Sequence, residues 1–96
     1  MQFLLIAYDW TDEEALQRRL NVREEHLEKI GVLKRSGECL FGGAILDEEG
    51  KMIGSTIVYE FPDRQSLDVK LIDEPYINSG VWKTIEIRNF RLAKIG

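Results

Sequence analysis

The only histidine of the chain, His26, is the first residue whose type suggests chemistry. An imidazole titrates near neutral pH, so it can act as a general acid or base. Arg23 lies one helical turn before it, within an apolar stripe of the helix predicted below, where a guanidinium is costly unless it meets an anion or a wet cleft. We therefore predict that His26 moves a proton and Arg23 holds an anionic group of a substrate. The alternative is that Arg23 only reaches the surface and His26 has a structural hydrogen bond.

Two adjacent carboxylates, Asp73 and Glu74, form the second candidate, at the end of a predicted helix and just before Pro75. Proline fixes the backbone there, so the preceding carboxylate leaves the helix in a defined direction. A carboxylate beside an imidazole fixes its tautomer and supports general acid/base catalysis. We expect one of these acids to meet His26, with an ordinary polar turn as the alternative.

Glycines on two strands that are predicted to pair form the third candidate. Gly42 and Gly43 lie on one strand, and Gly54 precedes Ser55 on the other. Glycine clears space for a ligand or a neighbouring backbone, and a serine hydroxyl can donate into that space. Ser55 lacks the GxSxG context of a nucleophile. We expect Gly43 and Ser55 to line a ligand cleft, and a purely structural role is the equal alternative.

The elements that must position these residues follow from the spacing of apolar residues. Strands are predicted over four ranges: Gln2–Tyr8, Glu38–Leu46, Met52–Phe61 and Val81–Leu92. Helices are predicted over two: from a cap at Thr11 or Asp12 to about Ser36, and from Arg64, capped by Asp63, to about Ile72. Gly37 is expected to end the long helix and Pro75 to break the short one.

Two finer features accompany these elements. The long helix is predicted to face the core with a stripe made of Leu16, Leu20, Leu27 and Ile30. The apolar parity of the last strand shifts between Ile87 and Phe90, which predicts a bulge near Arg88–Asn89.

The order βαββαβ is the ferredoxin-like pattern of the α+β class. Right-handed crossovers place both helices on one face of a four-stranded antiparallel sheet whose first and third strands are central. The first strand is apolar on both faces, whereas the helices cover only one. We therefore expect the open sheet face to pack against a second copy, giving a homodimer.

Composition excludes several classes of protein. The 96 residues are sufficient for one domain, spanning residues 1–96. Thirteen basic against seventeen acidic residues give a formal charge of -4, which argues against nucleic acid as a partner. One Cys and one His cannot form a closed zinc site, and no apolar run has the length of a signal peptide or bilayer span. The expectation is a cytoplasmic protein with no metal, no cofactor and no membrane contact.

Several motifs, taken in order, resemble the YciI-like (YCII-related) family and cover nearly the whole chain. They are Arg19-Leu20-x-Val22-Arg23-x-x-His26-Leu27, Gly54-Ser55-Thr56, Pro75-Tyr76-x-x-x-Gly80-Val81 and the late Phe90. The resemblance implies a ferredoxin-like dimeric α/β barrel with a site built on a His and Asp pair. A related member is a dehydrochlorinase of a chlorinated hydroxyhydroquinone, and muconolactone isomerases and small monooxygenases share the fold.

Transferred by position, the family histidine is His26, and the family's Asp-Pro-Tyr falls on Glu74-Pro75-Tyr76. The resemblance thus implies Glu74 as the acid, one methylene longer than the family's Asp, with the neighbouring Asp73 as a substitute. Tyr76 joins Arg23, Ser55 and Gly43 as a predicted substrate-binding residue.

Two hypotheses on function follow. In the first, the protein is a cofactor-free enzyme in which His26, oriented by Glu74 or Asp73, moves a proton on a small cyclic or aromatic-derived compound. Elimination of a halide, isomerisation and lactone chemistry all fit such a site. In the second, the same cleft binds a small ligand without catalysis. A carboxylate within about 3.2 Å of a ring nitrogen of His26 favours the first hypothesis.

Overall fold

A computed structural model describes residues 1–96. The strands are β1 (Gln2–Asp9), β2 (Cys39–Leu46), β3 (Met52–Glu60) and β4 (Trp82–Phe90). The helices are α1 (Ala15–Ser36), α2 (Arg64–Leu71) and the single turn α3 (Pro75–Asn78). The predicted βαββαβ order is found, with α3 added after α2. None of the helices combines the length and the apolar run that a bilayer crossing requires.

The four strands form one antiparallel sheet in the order β2-β3-β1-β4, so the first and third strands are central, as predicted. The odd-numbered residues Phe3, Leu5 and Ala7 of β1 are buried beneath the helices. Even-numbered residues, such as Ile6 and Tyr8, point to the opposite face, because side chains alternate along a strand. The arrangement is the α+β, ferredoxin-like one.

The bulge predicted at Arg88–Asn89 is not present. β4 keeps one register against β1 from Thr84 to its last residue, Phe90, which pairs with Gln2. The apolar parity changes there because Phe90 lies on the open sheet face, and not because the strand bulges. The irregularity is at the other end, between Tyr8 and Asp9.

The predicted core stripe of α1 is only partly correct, because Ile30 packs against the core but two of the four predicted residues are exposed. Leu20 and Leu27 are 44% and 46% exposed, and Arg23 is exposed as well. The buried residues of α1 are Ala15, Arg19, His26 and Leu33. A hydrophobic pattern counts Arg19 and His26 as polar, but both find buried partners in the interior. That compensation decides which face of α1 turns inward.

The ends of the helices follow local rules. Gly37 ends α1 in the left-handed conformation, with φ 85°, and Asp63 caps α2 by accepting a hydrogen bond from the Ser66 amide at 2.8 Å. At its other end, α1 starts at Ala15, later than predicted, because the Asp12 carbonyl accepts from the Ala15 amide in a preceding turn. Pro75 not only breaks α2 but begins α3 at the first helical position, where proline is favoured.

Candidate active site

His26 and Glu74 meet in the interior of the protein. Nδ1 of His26 is hydrogen-bonded to Oε1 of Glu74, and their side chains are only 9% and 5% exposed. Glu74 turns inward because it is the N-cap of α3, where the same oxygen accepts a hydrogen bond from the Tyr76 amide at 3.3 Å. The adjacent Asp73 is exposed. Of the two predicted acids, the structure therefore brings Glu74 to His26.

The second ring nitrogen of His26, Nε2, has no hydrogen-bond partner in the protein. The only fully enclosed side-chain oxygen or nitrogen without a hydrogen bond is Oε2 of Glu60, which forms an ion pair with the N-terminal amine. Nε2 of His26 is therefore not fully enclosed and keeps contact with the surface. A carboxylate at Nδ1 favours the tautomer with the proton on Nδ1 and a lone pair on Nε2. Nε2 is thus the atom at which His26 can take up or release a proton.

Two aromatic rings hold the imidazole in place. The ring of Tyr76 is stacked on that of His26, with 4.0 Å between centroids and 15° between planes. The indole of Trp82 approaches the imidazole by its edge, at 6.4 Å. Burial raises the pKa of the Tyr76 phenol, so it stays neutral. Tyr76 therefore contacts the predicted base itself.

A buried ion pair lies on the other side of Tyr76. Nε of Arg19 donates to Oδ2 of Asp9 at 2.8 Å, and Nη2 donates to Oγ of Ser55 at 2.6 Å. The indole N–H of Trp82 donates to the same hydroxyl oxygen at 3.3 Å. Since the guanidinium carbon is 4.5 Å from the centroid of the Tyr76 ring, that ring lies between a cation and the imidazole.

Three residues of this cluster, Asp9, Arg19 and Trp82, were missed as site residues by sequence reasoning. A signal for Arg19 was available: it lies seven residues before His26, two turns along one face of α1. An acid that ends an apolar strand was the corresponding signal for Asp9.

Two predicted substrate-binding residues lie apart from this cluster. Arg23 is exposed, although its charge, like that of Arg19, lowers the pKa of Tyr76 against the larger effect of burial. Gly43 is exposed on the edge strand β2, and a Cβ there would meet no atom within 4 Å. The close backbone approach is instead at Gly54, where a Cβ would overlap the carbonyl oxygen of Ala7.

The family pattern described as the YCII-related domain matches residues 1–91. The chain belongs to the YCII-related domain family. The resemblance predicted from the motifs is thereby confirmed. Two relatives of this YCII-related domain are an uncharacterised protein of Haemophilus influenzae, 30% identical, and Protein YciI of Escherichia coli, 26% identical. Each alignment runs over 97 positions and covers 95% of this chain and 97% of the relative.

Solved structures share the fold of this YCII-related domain. The 5-chloro-2-hydroxyhydroquinone dehydrochlorinase of Burkholderia phenoliruptrix, in complex with 2,5-dihydroxybenzoquinone, superimposes with a TM-score of 0.82 at 20% identity, over 97% of this chain and 96% of the other. An antibiotic biosynthesis monooxygenase gives 0.57 at 23% identity, over 94% and 99%. At these identities the similarity supports the ferredoxin-like fold of the YCII-related domain.

Proposed function

We propose that this YCII-related domain is a small enzyme that uses its own side chains for acid/base catalysis, with Nε2 of His26 as the proton-transferring atom. The observation that carries the proposal is the buried His26–Glu74 pair, which leaves Nε2 without a protein partner. Glu74 orients the ring and stabilises the imidazolium that forms when Nε2 takes up a proton. An outward-facing Glu74 would instead have favoured the non-catalytic, ligand-binding alternative.

The proposed substrate is a small cyclic or aromatic-derived compound, chlorinated or a lactone. The dehydrochlorinase with the same fold makes a chlorinated hydroxyhydroquinone the first compound to test. In an elimination, Nε2 removes a proton from the substrate, the electron pair left behind forms a new double bond, the C–Cl bond breaks, and chloride leaves with the electron pair of that bond. An isomerisation differs only in that His26 returns the proton to another atom of the substrate.

The predicted substrate-binding residues have different roles in this proposal. Arg23, exposed on α1, is the candidate for holding an anionic group at the surface side of the site. Ser55 and Tyr76 lie within the cluster around His26: the Ser55 hydroxyl accepts a hydrogen bond from Arg19, and Tyr76 stacks on the imidazole. Gly43 remains a candidate for lining the cleft from the sequence prediction alone, because no contact in the structure supports this role.

Exchanging Glu74 for glutamine is expected to lower turnover about 10²-fold or more, because the amide keeps the size of the side chain but does not stabilise an imidazolium. Chloride release from a panel headed by 5-chloro-2-hydroxyhydroquinone measures the effect. The matched control is Asp73→Asn, which neutralises the exposed neighbouring carboxylate and should leave turnover unchanged. Full activity in Glu74→Gln, an equal loss in Asp73→Asn, or a panel with no substrate would each count against the proposal.

We also propose a cytoplasmic homodimer formed through the open sheet face, as in a dimeric α/β barrel. Large apolar side chains that are exposed on this face support the proposal: Tyr8 on β1 is 46% exposed and Phe41 on β2 is 44% exposed. We expect sedimentation at micromolar concentration to give a dimer, and Tyr8→Arg to dissociate it because a charge would be buried in the interface. Val69→Arg, on an exposed position of α2, is the control. A stable monomer of the unmodified protein would contradict this proposal.

A further inference from the structure

The hydroxyl of Ser55 connects two of the side chains that surround the His26 ring. Ser55 lies on β3, is 2% exposed, and is paired with Ala7 of β1 on the sheet face that the helices cover. Its oxygen accepts from Nη2 of Arg19 at 2.6 Å and from the indole N–H of Trp82 at 3.3 Å. A hydroxyl oxygen has two lone pairs, and these two donors occupy both. Ser55 therefore contacts the site through Arg19 and Trp82 and makes no hydrogen bond with His26.

The indole of Trp82 is held by this oxygen. Trp82 is 6% exposed, and an indole N–H can only donate, so it needs an acceptor inside the protein. Ser55 is that acceptor. The indole in turn contacts two rings by its edge, Tyr76 at 5.6 Å between centroids and His26 at 6.4 Å. Without the Ser55 oxygen a buried donor would be left unpaired, which is costly, so we expect the indole to move towards another partner.

Ser55 also fixes the orientation of the Arg19 guanidinium. Nε of that group donates to Asp9 and Nη2 donates to Ser55, on a different strand. A guanidinium is planar, so hydrogen bonds to two separate residues define the direction of its plane. The guanidinium carbon lies 4.5 Å from the centroid of the Tyr76 ring, and that ring is stacked on His26 at 4.0 Å. The second path from the Ser55 hydroxyl to the imidazole thus passes through Arg19 and Tyr76.

We propose that Ser55 is a positioning residue for His26, and that it acts through Trp82 and Arg19 rather than through contact with a substrate. One buried hydroxyl holds both groups whose contacts reach the imidazole, so it keeps the ring, and with it Nε2, in one orientation. This role differs from the substrate binding expected from the sequence. Its effect on turnover rests on the proposed function of His26, and a small displacement of a catalytic group lowers a rate by up to about 10²-fold.

The first test is NMR of the intact protein without a substrate. The chemical shifts of the two carbon-bound ring protons of His26 depend on the neighbouring rings, so we expect them to change in Ser55→Ala and to stay constant in the control Ser79→Ala, at an exposed serine. The indole N–H of Trp82 should exchange with D₂O about tenfold faster in Ser55→Ala. Trp10, 48% exposed, is the internal control and should exchange equally fast in both proteins. Unchanged His26 signals in folded Ser55→Ala would overturn the proposal.

The second test separates positioning from substrate binding. Ser55→Ala should lower kcat about tenfold and change KM by less than about twofold, whereas loss of a substrate contact would raise KM. Ser55→Thr keeps the hydroxyl and should restore kcat together with the His26 signals. Ser55→Cys, close to serine in size but a weak acceptor, replaces Ser55→Ala if that variant does not fold.

The outcomes of the two tests are distinguishable. A raised KM with unchanged kcat, or a Ser55→Thr protein as impaired as Ser55→Ala, would overturn the role of Ser55. Altered His26 signals with an unchanged kcat would instead support the positioning of the ring and contradict the proposed catalysis by His26.

Discussion

His26→Asn is expected to lower turnover by about 10² or more, since asparagine can still hydrogen-bond Glu74 but cannot exchange a proton near neutral pH. His26 is the only histidine, so no other imidazole can take over. The measurement is the rate of chloride release, or of the isomerisation, for whichever compound the unmodified protein converts. We expect the loss to appear in kcat, the rate at saturating substrate, because the proton is transferred in the transition state.

The control for this variant is Leu27→Asn, which places the same side chain on the next residue of α1, an exposed one. It should retain full turnover. Unfolding in urea shows whether His26→Asn is still folded, since losing the ring leaves space beside Tyr76. A folded His26→Asn protein with full turnover would exclude His26 as the catalytic base.

Asp9→Asn is expected to cost about 3–5 kcal/mol in the free energy of unfolding, because it leaves the Arg19 guanidinium buried without a counter-charge. The side chains of this pair are 2% and 3% exposed. The chain contains a matched control, the pair of Arg18 with Asp12, which is made from the same residue types but is exposed at the surface. Asp12→Asn should change stability little, since surface ion pairs contribute little.

A double variant separates the electrostatic coupling between Asp9 and Arg19 from the effect of changing the size of each side chain. Asp9→Leu combined with Arg19→Met removes both charges and is expected to be more stable than either single variant, because well-packed apolar residues can replace a buried ion pair. Urea denaturation measures all of these variants. Additive losses in the double variant, or equal effects of Asp9→Asn and Asp12→Asn, would contradict the buried-pair interpretation.

Much of the fold could be predicted because its signals are local. The alternation of side chains along β1 predicted its two faces, Gly37 predicted the end of α1, and Asp63 predicted the cap of α2. The inward face of α1 could not be predicted in this way. Arg19 of the helix can be buried because Asp9 of β1 and Ser55 of β3 accept its hydrogen bonds, and a periodic pattern contains no information on such contacts.

The candidate site, too, could be predicted from the sequence only in part. His26 stood out as a lone imidazole, but the choice between Asp73 and Glu74 stayed open, since both precede Pro75 closely. What decides it is that Pro75 begins α3, which makes Glu74 the N-cap and turns its carboxylate towards the core. Arg23 was predicted to bind substrate because it lies within the predicted stripe, but Leu20 and Leu27 of that stripe are exposed, and so is Arg23.

The tautomer of the His26 ring is the most direct test of the proposed catalysis, and ¹⁵N NMR of the ring nitrogens measures it. In the uncharged form of the ring, we expect the proton on Nδ1, facing Glu74, and a free lone pair on Nε2. In Glu74→Gln the amide can also donate to Nδ1, so this preference should weaken. A proton held on Nε2 in the unmodified protein, unaffected by Glu74→Gln, would mean that His26 is not poised as a base.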